Sequence, residues 1–465
     1  MSFWMFRDLS YHTLKEKAMK KKLKFVISFV LILVIIAGSG VMPASSYEHD
    51  VPVSSGAMLL YNLDTNTVCY QKNVNKKWYA SYLSELMTFI VALQNVANPE
   101  REKIYISPEF IKTLSITDGC LDKFIGETLT LKDLLTIMMM TTGNDAAHLI
   151  AYHVSDGSVT KFVELMNRKA TELGCVSTHF VSPGMSGSLK QVTTCKDLSR
   201  IFMAISTLPL YSEIMASATF TPEGYDESDY QITTETSILN PNSPYYFRYA
   251  QGGKYSYARS VGSNIVVTTT YRGKSYLFIA LKGMNTSEKN VFADARRLTT
   301  WAYLNLSDRK VIDADKVISD FTAVANWGEY KAPLYASDSA YKTLPVEYEE
   351  EKFAYKIFIP DKVVLPVFDG QTIGSAKIYY DGNKIDDVNL ISNGSQGISL
   401  LGDLARFSYG AFSEILSEEP PTEPVSEEPT EAPTEAPTQA PTKAKKSSTA
   451  NNSTAPTESA AITEG

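Results

Sequence analysis

The sequence predicts an α+β chain in which a mixed domain is followed by a small all-β domain. Three observations predict it. Strand and hairpin signals stand at both ends of residues 52–306, helix-face spacings fill the middle, and after about Lys310 only short β runs with turns remain. The 465 residues are too many for one compact core, so two or three units are expected.

In chain order, Ala57-Met58-Leu59-Leu60-Tyr61 reads as a strand, followed by the turn Asp64-Thr65-Asn66-Thr67 and a return strand to Tyr70. Leu83, Leu86, Met87 and Ile90 fall at i, i+3, i+4 and i+7 and share one helix face. Thr130 ahead of Asp133 forms a capping box, opening a helix with Leu131, Leu134, Leu135 and Met138 on one side. Val261 to Thr270 and Ser275 to Leu281 are strands joined across Arg272-Gly273-Lys274. The later β runs include Lys377 to Tyr380 before the turn Asp381-Gly382-Asn383.

The ends differ in kind. Lys15, Lys17, Lys20, Lys21, Lys22 and Lys24 precede the apolar run Phe25 to Ala37, then Gly38-Ser39-Gly40 and Pro43-Ala44-Ser45-Ser46. That order is secretory, and residues 1–46 are read as a signal peptide, with Met19 an alternative start. An uncleaved anchor is the competing reading, although the run falls short of the roughly 20 apolar residues that span a bilayer. The expected division is 47–306 for the first domain, 307–398 for the β domain, 399–416 for a short amphipathic helix of imperfect period, and 417–465 for a disordered Pro/Thr/Glu-rich tail. The tail is either a solvated extension or a spacer through a cell wall. A protease-accessible joint is expected near Asp308 to Asp313.

Composition narrows the function. Hydrophobic residues make up 44% of the chain and charged residues 21%, enough to build cores. A net charge of −8 argues against a nucleic-acid partner. Cys69, Cys120, Cys175 and Cys195 form no CxxC pair. They read as small buried hydrophobes, although pairing in an exported chain would leave three connectivities open. The five histidines, His12, His49, His148, His153 and His179, make no metal pattern, and no phosphate loop is present, so no metal or cofactor is expected.

Several blocks in order resemble the low-molecular-weight penicillin-binding proteins that act as serine D-alanyl-D-alanine carboxypeptidases. Leu83-Ser84-Glu85-Leu86-Met87-Thr88 is similar to the helix carrying their Ser-x-x-Lys motif. Gly126-Glu127, Asp133-Leu134-Leu135 and Thr142-Gly143-Asn144-Asp145-Ala146-Ala147 resemble the stretch ending in Ser-Gly-Asn-Asp-Ala. Thr178-His179-Phe180-Val181-Ser182-Pro183-Gly184 is close to Thr-His-Phe-x-Asn-Pro-x-Gly, and Thr193-Thr194-Cys195-Lys196-Asp197-Leu198 to the helix that follows. Gly252-Gly253-Lys254 sits where Gly-x-Lys-Thr-Gly belongs. Pro366-Val367, Gly370-Gln371, Gly374 and Tyr379-Tyr380-Asp381-Gly382 resemble the family's C-terminal β domain, which the related class A β-lactamases lack. The resemblance spans roughly Pro52 to Leu390. It implies a β-lactamase/transpeptidase-like domain, an antiparallel sheet flanked by helices, with peptidoglycan stem peptides as substrate.

The resemblance also implies a serine nucleophile activated by a lysine one helical turn on, a Ser-x-Asn loop, and a Lys-Thr-Gly strand whose glycine lets substrate approach. Those residues are mostly replaced. The gapless match puts Tyr82 at the nucleophile and Glu85 at the lysine. A phenol with a pKa near 10 is a poor substitute, and a carboxylate would repel the substrate's own. The alternative takes Ser81 as nucleophile, puts Ser84 at the lysine, and needs one extra residue inside a helix. That insertion would turn Leu86, Met87 and Ile90 about 100° off the core. Thr142 keeps a hydroxyl, and Asn144 is either a site residue or a cap for a helix over Ala146 to His153. Lys254 is either the motif lysine or a surface charge, and Tyr255 and Ser256 are expected to crowd the strand. No catalytic set is intact.

Three readings follow. The first is a non-catalytic protein binding peptidoglycan or a cell-wall partner. The second is a working carboxypeptidase through Ser81. The third is a groove lined by Tyr82, Tyr255 and Tyr257 for sugars or aromatic groups. Location would be extracytoplasmic, secreted or wall- or membrane-associated, with the membrane engaged only through an uncleaved N-terminal segment.

Overall fold

A computed structural model describes residues 51–114, 119–283, 290–325 and 328–393. The N-terminal segment, the 399–416 segment and the Pro/Thr/Glu-rich tail lie outside the described residues. Within them, the first domain is built on β1 (Ala57–Asn62), β2 (Thr67–Lys72), β3 (Ala250–Ala258), β4 (Gly262–Tyr271) and β5 (Lys274–Gly283). They form one sheet in the order β2-β1-β5-β4-β3, antiparallel throughout. Both hairpin turns fall where the sequence places them. Arg272 and Gly273 take positive φ values of 50° and 77°, the conformation a two-residue turn between twisted strands demands.

Helices cover both faces of this sheet. α1 (Glu85–Asn95), α2 (Leu131–Met140), α3 (Asn144–Val154), α4 (Val159–Glu172) and α5 (Cys195–Ser206) pack on one side, and α6 (Asn290–Asn305) on the other. The strands therefore read as continuous apolar runs. On β1, Leu59 and Tyr61 join the core under α1 to α5, while Met58 and Leu60 join the core under α6. The capping box at α2 is formed: Thr130 Oγ1 accepts from Asp133 N–H while the Asp133 carboxylate accepts from Thr130 N–H. Cys69, Cys175 and Cys195 are buried free thiols, and Cys120 is half-buried and free.

The second part follows α6 with no gap. β6 (Leu306–Ile312) begins at the next residue and pairs with β9 (Ala340–Pro345). The strands β7 (Val317–Ala325), β8 (Gly328–Ala336), β10 (Phe353–Phe358), β11 (Val363–Val364), β12 (Thr372–Tyr380) and β13 (Asn383–Ser392) form a six-stranded sheet in the order β10-β12-β13-β8-β7-β11. The expected open joint at Asp308 to Asp313 is not there. Asp308 accepts hydrogen bonds from Asn62 Nδ2 (3.1 Å) and Thr343 Oγ1 (2.8 Å), and Lys342 Nζ donates to Thr65 O at 3.0 Å. These bonds tie the β1–β2 turn to β6 and β9. Among the described residues no helix is long and apolar enough to cross a membrane.

Candidate functional site

The positions singled out by sequence converge where α1, α2, α3 and the edge strand β3 meet. Residues 81–84 form a single 3₁₀ turn running directly into α1, and Leu83, Leu86, Met87 and Ile90 are all buried. Ser81 opens that turn at φ 50°, a left-handed conformation that a serine adopts only under constraint. Tyr82 is buried at its own place in the turn.

Glu85 and Lys254 face each other. Their side chains are 0% and 1% exposed, and Lys254 Nζ lies 2.6 Å from Glu85 Oε2. Attraction between opposite charges in a low-dielectric interior holds the pair. Lys254 also donates to Met138 O (2.7 Å) and Thr141 O (2.5 Å), thereby capping the carbonyl end of α2. The surface-charge reading of Lys254 is thus corrected: the chain buries it between three oxygen acceptors. Burial pushes the Glu85 carboxyl up to about 7, against the pull of Lys254 in the other direction. Glu235, exposed nearby, adds like-charge repulsion and accepts a hydrogen bond from Thr142 Oγ1 at 3.3 Å.

Strand alternation decides where the rest of the third motif points. Tyr255 packs against Phe292 of α6, ring centroids 4.9 Å apart, on the opposite side of the sheet from Glu85. The expectation that Tyr255 crowds the site is therefore wrong. The same burial removes the groove imagined between Tyr82, Tyr255 and Tyr257, because Tyr82 and Tyr255 are both enclosed. Ser256 does face inward. Its Oγ accepts the backbone N–H of Tyr82 at 3.2 Å. In acyl transfer the nucleophile's own N–H is a usual donor to the developing oxyanion, and here a side chain already occupies it.

Asn144 does not cap its helix. Gly143 stands at the N-cap, α3 starts at Asn144 itself, and the asparagine side chain makes no cap bond. Gly143 has to be glycine, because a Cβ there would sit 2.5 Å from Met138 Cα. Asn144 Oδ1 lies over Gly184, where an added Cβ would come within 2.2 Å of it. The loop carrying Gly184 is locked to α1: Ser84 Oγ donates to Gly184 O (2.6 Å), Thr88 Oγ1 to Pro183 O (2.6 Å) and Gln191 Nε2 to Gly184 O (2.6 Å). Sequence matching flagged the loop and the helix carrying Thr88, but not Gln191 or Glu235. A glutamine at this spacing carries no signal until the loop is seen folded back.

Polar saturation is incomplete here. Among the described residues, Ser81 Oγ, Glu85 Oε1 and Asn144 Oδ1 are buried without a hydrogen-bond partner. Such atoms are rare in native interiors and cluster where a structure once had, or still has, a task. No group of three or more His, Cys, Asp or Glu among the described residues could hold a metal ion. His148 is an ordinary supporting residue, with Nδ1 2.8 Å from Asn144 O and Nε2 3.3 Å from Ser182 Oγ.

Comparison with known proteins gives the same outline. Residues 44–284 match the D-alanyl-D-alanine carboxypeptidase family, and residues 307–395 match the C-terminal domain of penicillin-binding protein 5. The chain is 28% identical over 302 residues to a D-alanyl-D-alanine endopeptidase of Escherichia coli, covering 63% of this chain and 88% of that protein. It is 22% identical over 373 residues to the D-alanyl-D-alanine carboxypeptidase DacA of Haemophilus influenzae, covering 79% and 91%. Among solved structures, penicillin-binding protein 5 from Haemophilus influenzae superposes with a TM-score of 0.62 at 19% identity, over 76% of this chain and all of that one.

Proposed function

The chain belongs to the D-alanyl-D-alanine carboxypeptidase family, and on that premise we propose that it is an exported, catalytically inactive relative that binds peptidoglycan stem peptides or a cell-wall partner without cutting them. The observation that carries this reading is the Glu85–Lys254 pair, 2.6 Å apart and enclosed. Serine acyl transfer needs a nucleophile beside a base that can take its proton. In the gapless register, residue 82 is a phenol, and Lys254 has its ammonium fixed on one carboxylate and two carbonyls.

The Ser81 register gains nothing from the geometry. Ser84, which then stands at the lysine, uses its hydroxyl as a donor to Ser81 O (2.9 Å) and Gly184 O. A hydroxyl so engaged is no base for Ser81. The binding half of the proposal rests on the family match and on the similarity to D-alanyl-D-alanine carboxypeptidases. Fluorescent penicillin, which acylates active members of such a family, tests the reading on the purified protein. No covalent label is expected. Stoichiometric labelling that disappears in Ser81→Ala would restore the enzyme.

A further inference from the structure

We propose that the cavity bounded by Trp78, Tyr79, Ser260, Val261, Asn264 and Lys282 is a binding site for a compact carboxylate, separate from the Glu85–Lys254 site. Its volume is about 100 Å³. Trp78 and Tyr79 form the short strand that leads into the 3₁₀ turn, pairing with Val192 and Thr193. Ser260 and Val261 lie in the turn between β3 and β4, Asn264 is on β4, and Lys282 is on β5. The wall is thus made by three strand ends and the segment ahead of α1.

Two donors in this wall are left over. Asn264 is fully buried, and its Oδ1 accepts the backbone N–H of Lys282 at 2.9 Å. That bond fixes the amide orientation and leaves Nδ2 as the free end. Nδ2 has no acceptor among the described residues, and neither does the buried Nε1 of Trp78. Buried N–H groups without acceptors are uncommon in native proteins and call for a missing partner. Both belong to side chains lining the same cavity.

Charge selects what that partner is. Lys282 Nζ lies 4.8 Å from the centroid of the Trp78 ring, and Lys76 Nζ lies at the same distance. Among the described residues no carboxylate lines the cavity, so an acceptor of negative charge would meet two N–H donors beside an ammonium. The volume suits a carboxylate with a short substituent and is too small for a sugar ring. A water molecule could take both N–H bonds, but only an anion also gains from the two ammonium groups beside Trp78. The site needs neither register of the Ser81–Tyr82 turn, so it stands or falls apart from the loss of catalysis.

The test follows the indole N–H of Trp78 in protein labelled with ¹⁵N-tryptophan, the resonance being assigned by Trp78→Phe. Acetate, N-acetyl-D-alanine and N-acetyl-L-alanine are titrated, with N-acetyl-D-alaninamide as the uncharged control. The carboxylates should shift the resonance saturably and the amide should not. A preference for the acetylated alanines over acetate would point to a peptide terminus as the source, and equal affinity to a free small acid. Lys282→Met, at an exposed side chain, should weaken binding about tenfold or more with thermal unfolding unchanged, and Asn264→Ala should act alike. If no carboxylate shifts the indole, if the amide shifts it equally, or if Lys282→Met binds as the wild type does, the cavity holds only water and the proposal fails. Should Asn264→Ala not fold, the Lys282 variant decides alone.

Discussion

Among the described residues two lysines are buried, and they differ in how far their carboxylate partners are exposed. Lys342 sits where β9 meets the β1–β2 turn. It donates to Thr65 O at 3.0 Å and pairs at 3.0 Å with Asp386, whose side chain keeps 27% exposure. Thr65, Thr67, Asp308 and Thr343 around it are bonded to one another. Lys254 has more acceptors but worse company. Its carboxylate partner is sealed off, one oxygen of Glu85 goes unmet, and Ser81 and Asn144 nearby also carry unmet oxygens. Around Lys342 the threonines and Asp308 satisfy one another, although the Tyr276 hydroxyl opposite Asn62 stays unmet. At Lys254 the cation is matched, while buried oxygens of Ser81, Glu85 and Asn144 nearby are not.

The largest difference should appear on cutting each pair. Lys254→Met leaves a carboxylate with no cation and no water, and should lower stability by about 3–5 kcal/mol in denaturant unfolding at pH 7.5. Lys342→Met should lose roughly 1–3 kcal/mol, because Asp386 can rehydrate. The double variant Lys254→Met with Glu85→Leu should regain most of the loss, since an apolar pair of similar volume removes the stranded charge. If the two single variants cost the same, or the double variant is no better than Lys254→Met, the contrast between the two sites is not electrostatic.

Much of this frame was legible beforehand because it is local. Alternating apolar runs, the Arg272-Gly273 and Asp381-Gly382 turns, and Thr130 with Asp133 each express their physics within a few residues. The ion pair was not legible, since Glu85 and Lys254 are far apart in sequence and neither residue type announces a partner. Reading Glu85 only as a charge that would repel the substrate's carboxylate missed that a carboxylate on a buried helix face must find a cation. The error at Tyr255 was avoidable. Motif matching assigns positions and not faces, whereas the period of two along β3 already puts residue 255 opposite residues 254 and 256. Asn144 misled in another way: an asparagine just before an apolar helix looks like a cap, but the close approach of residue 143 to Met138 moves the cap to a glycine.

The second effect is a pH dependence at the Lys254 site. The Glu85 carboxyl is raised from its usual 4.5 to about 7, so the folded state holds this proton more tightly than the unfolded chain. The contribution is full below about 4.5 and fades as pH rises through 7, reaching about 3 kcal/mol at ~1.4 kcal/mol per pKa unit. Glu85→Gln cannot titrate. Unfolding free energies of wild type minus Glu85→Gln should therefore fall between pH 4.5 and 8. A flat Glu85 difference would mean the carboxyl is ionised throughout that range and Lys254 outweighs burial.

The smallest effect expected is on turnover, where repair of the helix alone should give almost nothing. Tyr82→Ser with Glu85→Lys rebuilds the Ser-x-x-Lys pair in the gapless register. It also sets a second ammonium against Lys254 in a sealed pocket, where like charges repel strongly. The N–H of residue 82 would still be taken by Ser256 Oγ, leaving no donor free for an oxyanion at that point. Members of a catalytic unit fail together, so partial repair recovers little. D-alanine release from a short peptide ending in D-Ala-D-Ala should stay near background for this double variant. Adding Ser256→Gly frees the N–H and should raise the rate, whereas adding Tyr255→Thr should not, because that ring packs on Phe292 across the sheet. If Tyr255→Thr helps as much as Ser256→Gly, the inward face of β3 has been misassigned. If the double variant alone turns over like an active family member, the occupied N–H was no barrier, and the loss of catalysis rests on residues 82 and 85 alone.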